Sequence, residues 1–297
     1  MKKKLSLYVI ALALMSLMFS FTAFADTGPK PSVRITFEGL GDEVCYATLL
    51  SLRDSSGPAR HWNGKEAPDY YVSDGSGEED IDTLAQYKSI WTKMVEYQDP
   101  DNYYFLQRIW KLEGTKELAW TYYPPDSFKI LLYYPESDTF VSSGIYERYA
   151  FDSYYTVSSR NLDATADVFT AEKSYDYKWE TVSLAARIIV TILIETAVAL
   201  LFCYKSKREF TIILTVNVIT QIILNIILNI ENYKEGYMAF TAYYIFLELI
   251  VFAIEAAVYT LLIKDKNKRR NILYAFTSNT ASFGIGLLLA HIIPGIF

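Results

Sequence analysis

The chain has 297 residues, 52% of them hydrophobic and 21% charged, with a net charge of −6 and two cysteines. So few cysteines exclude a disulfide-stapled scaffold, and an acidic balance without any long Lys/Arg cluster in the polar half excludes a nucleic-acid partner. These averages merge two unlike halves, a polar one of 26 Asp plus Glu against 15 Lys plus Arg between Asp26 and Trp179, and an apolar one after it.

The N-terminus carries Lys2, Lys3 and Lys4, then an apolar run from Leu5 to Phe24 that closes on Ala23-Phe24-Ala25. A charged segment, a hydrophobic segment and a small-x-small site predict a secretory signal over residues 1–25, cleaved after Ala25. A run of this length could also cross the bilayer as a retained helix, but the Ala-x-Ala site favours cleavage. The expected exported domain then spans 26–179.

Within it, Val33-Arg34-Ile35-Thr36-Phe37 and Val44-Cys45-Tyr46-Ala47-Thr48 are strand-like and flank Gly39-Leu40-Gly41-Asp42, which predicts a hairpin. Residues 53–77, rich in Ser, Gly, Pro and Asp, read as a surface loop. Asp80 or Asp82 is placed to cap a helix whose Ile81, Leu84, Trp91, Met94 and Val95 share a face. Strand-like runs follow at Tyr103–Trp110, Leu118–Tyr123, Phe128–Tyr134 and Thr139–Ser142, while Tyr146–Val157 fits either a strand or a helix.

The expected fold is therefore mixed: a mostly antiparallel β domain with one helix, then an all-α four-helix transmembrane bundle. Tyrosine doublets, among them Tyr103-Tyr104, Tyr122-Tyr123, Tyr133-Tyr134 and Tyr154-Tyr155, should place one ring inside and one near solvent if each lies on a strand. The acidic stretch of Asp74, Glu78, Glu79, Asp80 and Asp82 lacks the spacing of an EF-hand loop, and His61 has no zinc-type partner. No metal site, no cofactor and no extramembrane catalytic constellation is expected.

The second domain, 180–297, contains apolar runs at about 181–204, 210–230, 239–263 and 272–293, each matching or exceeding the roughly 20 residues that span a bilayer. Lys205, Lys207 and Arg208 lie in the first connection, and Lys264, Lys266, Lys268, Arg269 and Arg270 in the third, whereas the second holds a single Lys. The positive-inside rule places loops 205–209 and 264–271 in the cytoplasm, with 26–179 and the C-terminus outside the plasma membrane.

Each span contributes a polar residue at a similar depth: Glu195, Asn217, Glu255 and Asn279. Arg187, Asn225 and Glu248 form a second layer further out, with Arg187 as the expected counter-ion of Glu248. Charged groups facing lipid cost at least about 2.5–3.5 kcal/mol each, so these faces should point inward. Ser278, Ser282, Gly286 and Ala290 form a small-residue stripe that suits close helix approach. The layer reads either as interhelical glue or as a proton, ion or catalytic site.

The segments Phe128-Lys129-Ile130-Leu131-Leu132-Tyr133-Tyr134-Pro135-Glu136 and Glu147-Arg148-Tyr149-Ala150-Phe151-Asp152-Ser153-Tyr154, joined to such a bundle, resemble uncharacterised membrane proteins of Gram-positive bacteria. That resemblance implies a bacterial cell-surface setting and carries no activity. Two functions follow from the residues. In the first, the exported domain binds or senses a ligand or a membrane partner, and the bundle anchors it and relays its state. In the alternative, the chain is a small transporter or intramembrane enzyme that uses the buried Glu/Asn cluster. The lipid bilayer is the partner both require.

Overall fold

The computed structural model describes residues 28–40, 43–64, 81–112, 116–158 and 168–293, with the side chains of 81–85 excepted. The expected signal and the acidic stretch from Asp74 to Asp80 lie outside these residues. The chain divides at Tyr175/Asp176 into a β-rich unit, Lys30–Tyr175, and a helical unit.

The β-rich unit contains two main sheets and one described helix. The four-stranded sheet runs β12 (Ala171–Lys173), β10 (Asp152–Ser158), β1 (Ser32–Glu38), β7 (Glu117–Trp120). The six-stranded sheet runs β11 (Val168–Phe169), β9 (Thr139–Glu147), β8 (Ser127–Tyr134), β2 (Tyr46–Ser51), β5 (Tyr104–Phe105), with β6 (Trp110–Lys111) also paired to β2. Most pairs are antiparallel, but β1–β10 and β11–β9 are parallel, so the sheets are mixed.

Alternation along the strands builds two cores. Val33, Ile35 and Phe37 of β1, with Trp120, Tyr155 and Val157, meet Ala47 and Leu49 of β2 and Phe128, Ile130 and Leu132 of β8 in one cluster between the sheets. The opposite faces of β2 and β8 present Tyr46, Leu50, Leu131 and Tyr133 to Ile90 and Met94 of α1 (Ile81–Glu96) in a second cluster. Burying one such aliphatic or aromatic side chain is worth about 1.5–3 kcal/mol.

This layering overturns the predicted hairpin. β1 and β2 belong to different sheets, because β1 exposes alternate residues while β2 is buried along its whole length. A strand apolar on both faces must lie between two covering layers. Gly39, at φ 69°, marks the left-handed turn that follows β1. The doublets follow the same logic. Tyr155 is buried and Tyr154 half exposed as expected, but Tyr133 and Tyr134 are both buried because their sheet is covered on each side. Tyr122 and Tyr123 both face solvent beyond the end of β7. Two further differences come from turn geometry: Gln107, at φ 61°, separates β5 from β6, and a short hairpin, β3 (Ser55–Ser56) with β4 (Ala59–Arg60), occupies the start of the expected loop.

A charged group enters the helix-covered face. Lys129 Nζ lies 2.9 Å from Asp99 Oδ1 and 2.5 Å from Asp101 Oδ2, and the Asp99 side chain is fully buried. Asp99 Oδ2 also accepts the backbone N–H groups of Asp101 and Tyr103 at 2.9 and 3.2 Å. Burial pulls the Lys129 ammonium down, but the hydrogen bonds it donates to the two carboxylates prevail and hold it above its ordinary range.

The helical unit comprises α2 (Tyr177–Leu201), α3 (Lys207–Glu235), α4 (Tyr237–Leu262) and α5 (Lys268–Ile292), each long and apolar enough to cross a membrane. Each packs on the next, and α2 packs on α5, which closes the ring. Asp176 caps α2, and Ser206 with Glu209 forms a capping box on α3. α2 stops at Leu201, three residues short of the predicted Tyr204. The stop is a left-handed Cys203 (φ 55°), with Tyr204 N–H bonded to Ala199 O at 3.1 Å and Cys203 N–H to Leu200 O at 2.9 Å.

Candidate functional site

All four residues of the inner layer face into the bundle: Glu195 and Glu255 have no exposed surface, Asn217 has 1% and Asn279 has 5%. Their partners differ. Glu255 on α4 accepts at both oxygens, from Thr220 Oγ1 of α3 and from Asn279 Nδ2 of α5, each at 2.7 Å. Asn217 accepts from the Tyr259 hydroxyl. Glu195 on α2 accepts at Oε1 from Ser282 Oγ of α5 at 3.2 Å, while its Oε2 has no hydrogen-bond partner.

Neither carboxyl forms an ion pair with any described residue. A buried carboxyl without a counter-ion needs either a proton or a bound cation to balance it. Asn279 Oδ1 and Gln221 Nε2 are likewise buried and unpartnered. These buried atoms have no hydrogen-bond partner among the described residues, which leaves them to water or a bound ion.

The outer layer corrects one expectation. Arg187 does not pair with Glu248: its Nη2 donates to Asn229 Oδ1 at 2.7 Å, and its guanidinium lies 5.4 Å from the Phe240 ring. The long side chain extends toward the bundle end, where Asn229, one turn beyond Asn225, offers an acceptor. Asn225 bonds within its own helix, to Gln221 O at 2.9 Å. Glu248 Oε2 has no hydrogen-bond partner.

Arg187, Gln221, Asn225, Glu248 and Ser282 line one cavity of about 60 Å³, whose walls come from all four helices. At about 10–15 Å³ per water on this scale, it has room for a few water molecules. Part of the small-residue stripe therefore lines space: Ser282, Gly286 and Ala290 border the cavity. Gly286 is also a point of close approach, since a Cβ there would stand 3.1 Å from the Tyr244 hydroxyl.

The other end of the layer is sealed. Tyr204, Tyr259 and Tyr274 are fully buried, with ring centroids 4.9 Å apart for Tyr204–Tyr274 and 5.4 Å for Tyr259–Tyr274. Asn271 accepts from Tyr204 Oη at 2.8 Å and donates to Tyr259 O and Ile263 O at 3.0 and 2.9 Å. Arg270 donates to Phe202 O, and Lys266 lies 3.4 Å from Glu209 Oε1. Polar space thus reaches the carboxyl layer from the end away from the basic loops, while the end nearer them is closed by packed rings.

The sequence reading missed Thr220, Tyr259 and the donor role of Ser282. Their signal was periodic: Thr220 follows Asn217 by three residues, Tyr259 follows Glu255 by four and Ser282 follows Asn279 by three, which puts each pair on one helix face. No group of His, Cys, Asp and Glu suited to a metal ion occurs among the described residues.

By its four long apolar helices this is a multi-pass membrane protein with a β-rich N-terminal region. No protein-family model, curated protein or solved structure matches the chain.

Proposed function

We propose that the bundle is a proton- or cation-handling device, a small ion-coupled carrier in which Glu195 and Glu255 take up and release the ion. The observation that carries this reading is the Glu195 carboxyl: fully buried, with no ion pair to any described residue and no described protein partner at Oε2. Interhelical glue is expected to pair such a carboxyl with a donor on a neighbouring helix, because an unmet buried acceptor costs about 1–3 kcal/mol. Glu255, held by two donors, is the better-satisfied carboxyl, and Glu195 the one open to exchange through Ser282 and the cavity.

The basic loops and the positive-inside rule support an orientation in which the cavity end faces outward. In that orientation the β-rich unit is extracytoplasmic. The site then has one-sided access, and the aromatic seal of Tyr204, Tyr259 and Tyr274 is the element that must move for the ion to pass inward.

Glu195→Gln and Glu255→Gln preserve size and hydrogen bonding but cannot exchange a proton or balance a cation. Purified protein in liposomes carrying an internal pH dye should dissipate an imposed pH or sodium gradient, and Glu195→Gln should abolish that flux at equal protein content. Wild-type flux in both variants would retire the reading and leave the layer as glue.

A further inference from the structure

The β-rich unit has an overall acidic composition, yet one groove on it gathers cationic side chains. Arg53, which follows β2, and Arg148, which follows β9, line a cavity of about 380 Å³ together with Tyr123, Asp126 and the serines of β3. That volume lies within the range of small-ligand pockets. Arg148 Nη2 holds Asp126 Oδ1 at 2.9 Å, but its Nε is buried without a hydrogen-bond partner. Arg53 makes no ion pair with any described residue. Lys30 adds a third positive charge, 5.6 Å from the Tyr123 ring.

The rim is built under strain. Tyr123 adopts φ 47°, a left-handed conformation that a bulky residue rarely takes, and its carbonyl accepts from Ser56 Oγ at 2.9 Å. Gly57 packs so closely that a Cβ there would stand 2.7 Å from Tyr123 Cβ. Pro124 and Pro125 are buried behind it, which fixes the tyrosine at the mouth of the groove. Strained residues held at a cavity rim are a feature of ligand clamps.

From this geometry we infer that the groove binds a hydroxyl-bearing organic anion, with its carboxylate or phosphate between Arg53 and Arg148, its ring against Tyr123 and its hydroxyls on the serines. Guanidinium groups suit planar or tetrahedral oxyanions through paired N–H donors. Asp126 competes with the ligand for Arg148 and so limits affinity. This inference concerns the β-rich unit alone and does not depend on the reading of the bundle.

The test uses the full chain in detergent and isothermal titration calorimetry. The probes are galacturonate and glucose 6-phosphate, with galactose and glucose as neutral controls. Saturable binding of at least one anion is expected, with neither neutral sugar bound; which anion binds identifies the carboxylate or the phosphate as the recognised group. Arg53→Gln, whose guanidinium forms no ion pair with a described residue, should weaken that binding about tenfold, as should Arg148→Gln. Asp126→Asn should strengthen it several-fold, which a purely structural loss would not do. Failure of both anions to bind at millimolar concentration, equal binding of the neutral sugars, or undiminished binding in both arginine variants would overturn the inference.

Discussion

Replacing Lys129 by Met tests how the β-rich unit tolerates a deeply buried ion pair. Met has similar length and fits the apolar neighbours Tyr103 and Leu131, so the change removes charge more than volume. Asp99 is then left buried, with only two backbone N–H groups for company. Breaking a buried pair from one side costs about 3–5 kcal/mol. Combining it with Asp99→Asn removes the stranded charge, while one amide oxygen keeps accepting the same two N–H groups. The double variant should therefore recover to within about 1–2 kcal/mol of the parent. Four of the five tryptophans, Trp62, Trp91, Trp110 and Trp120, belong to this unit, so fluorescence during urea unfolding in detergent reports mainly on it. At about 1–3 kcal/mol per molar urea, the single variant should lower the midpoint by roughly 2 M. The pair also sets an alkaline limit. Because the folded Lys129 ammonium sits above its ordinary range, its stabilisation is complete below the unfolded value of about 10.4 and is lost as pH rises through the higher folded value. A Lys129→Met loss under about 1 kcal/mol, or a double variant no better than the single, would refute this reasoning.

Thiol reactivity should separate the two cysteines. Burial, with Glu43 beside it, pushes the Cys45 thiol up to about 12, so maleimide at neutral pH should modify only Cys203 in the folded protein and both after unfolding. Cys203→Gly should stabilise the C-terminus of α2 by about 1 kcal/mol, because glycine adopts the left-handed cap without steric cost; a lower melting temperature would contradict the assigned cap. In a Cys203→Ser background, Glu235→Cys should react with an impermeant reagent in intact cells and Asp265→Cys only after lysis, since Glu235 at the end of α3 and Asp265 in the third connection are both exposed and lie at ends of opposite predicted sidedness. Labelling of Asp265→Cys from outside would reverse the topology.

The helices were legible because membrane insertion imposes a simple rule: unbroken apolar length, with basic residues between the runs. Their polar layer was legible for the same reason, since Glu195 and Glu255 stand out against leucine and isoleucine. Who bonds to whom was not. Arg187 has several acceptors within reach of its long side chain, and only the packed helices select Asn229 over Glu248. In the β-rich unit, local alternation identified β1, β2 and β8 as strands but could not assign partners, because pairing depends on contacts distant in sequence. β1 joins β10 some 120 residues away, and β2 joins β8. The hint that β2 is central lay in its continuous apolar run, which fits a strand covered on both sides better than a hairpin arm. The cationic groove was invisible for the same reason, since Arg53 and Arg148 meet only after the sheets assemble.

Dicyclohexylcarbodiimide, which forms a stable adduct only with a protonated carboxyl in an apolar setting, addresses the ion-exchanging site without knowledge of any cargo. Membranes containing the protein would be treated across a range of pH and sodium concentrations, and the adduct located by mass spectrometry of the α2 and α4 peptides. A proton- or cation-handling site predicts modification at Glu195 that falls as pH or sodium rises and is absent in Glu195→Gln. An adduct indifferent to both, or no adduct at Glu195 under any condition, would contradict it.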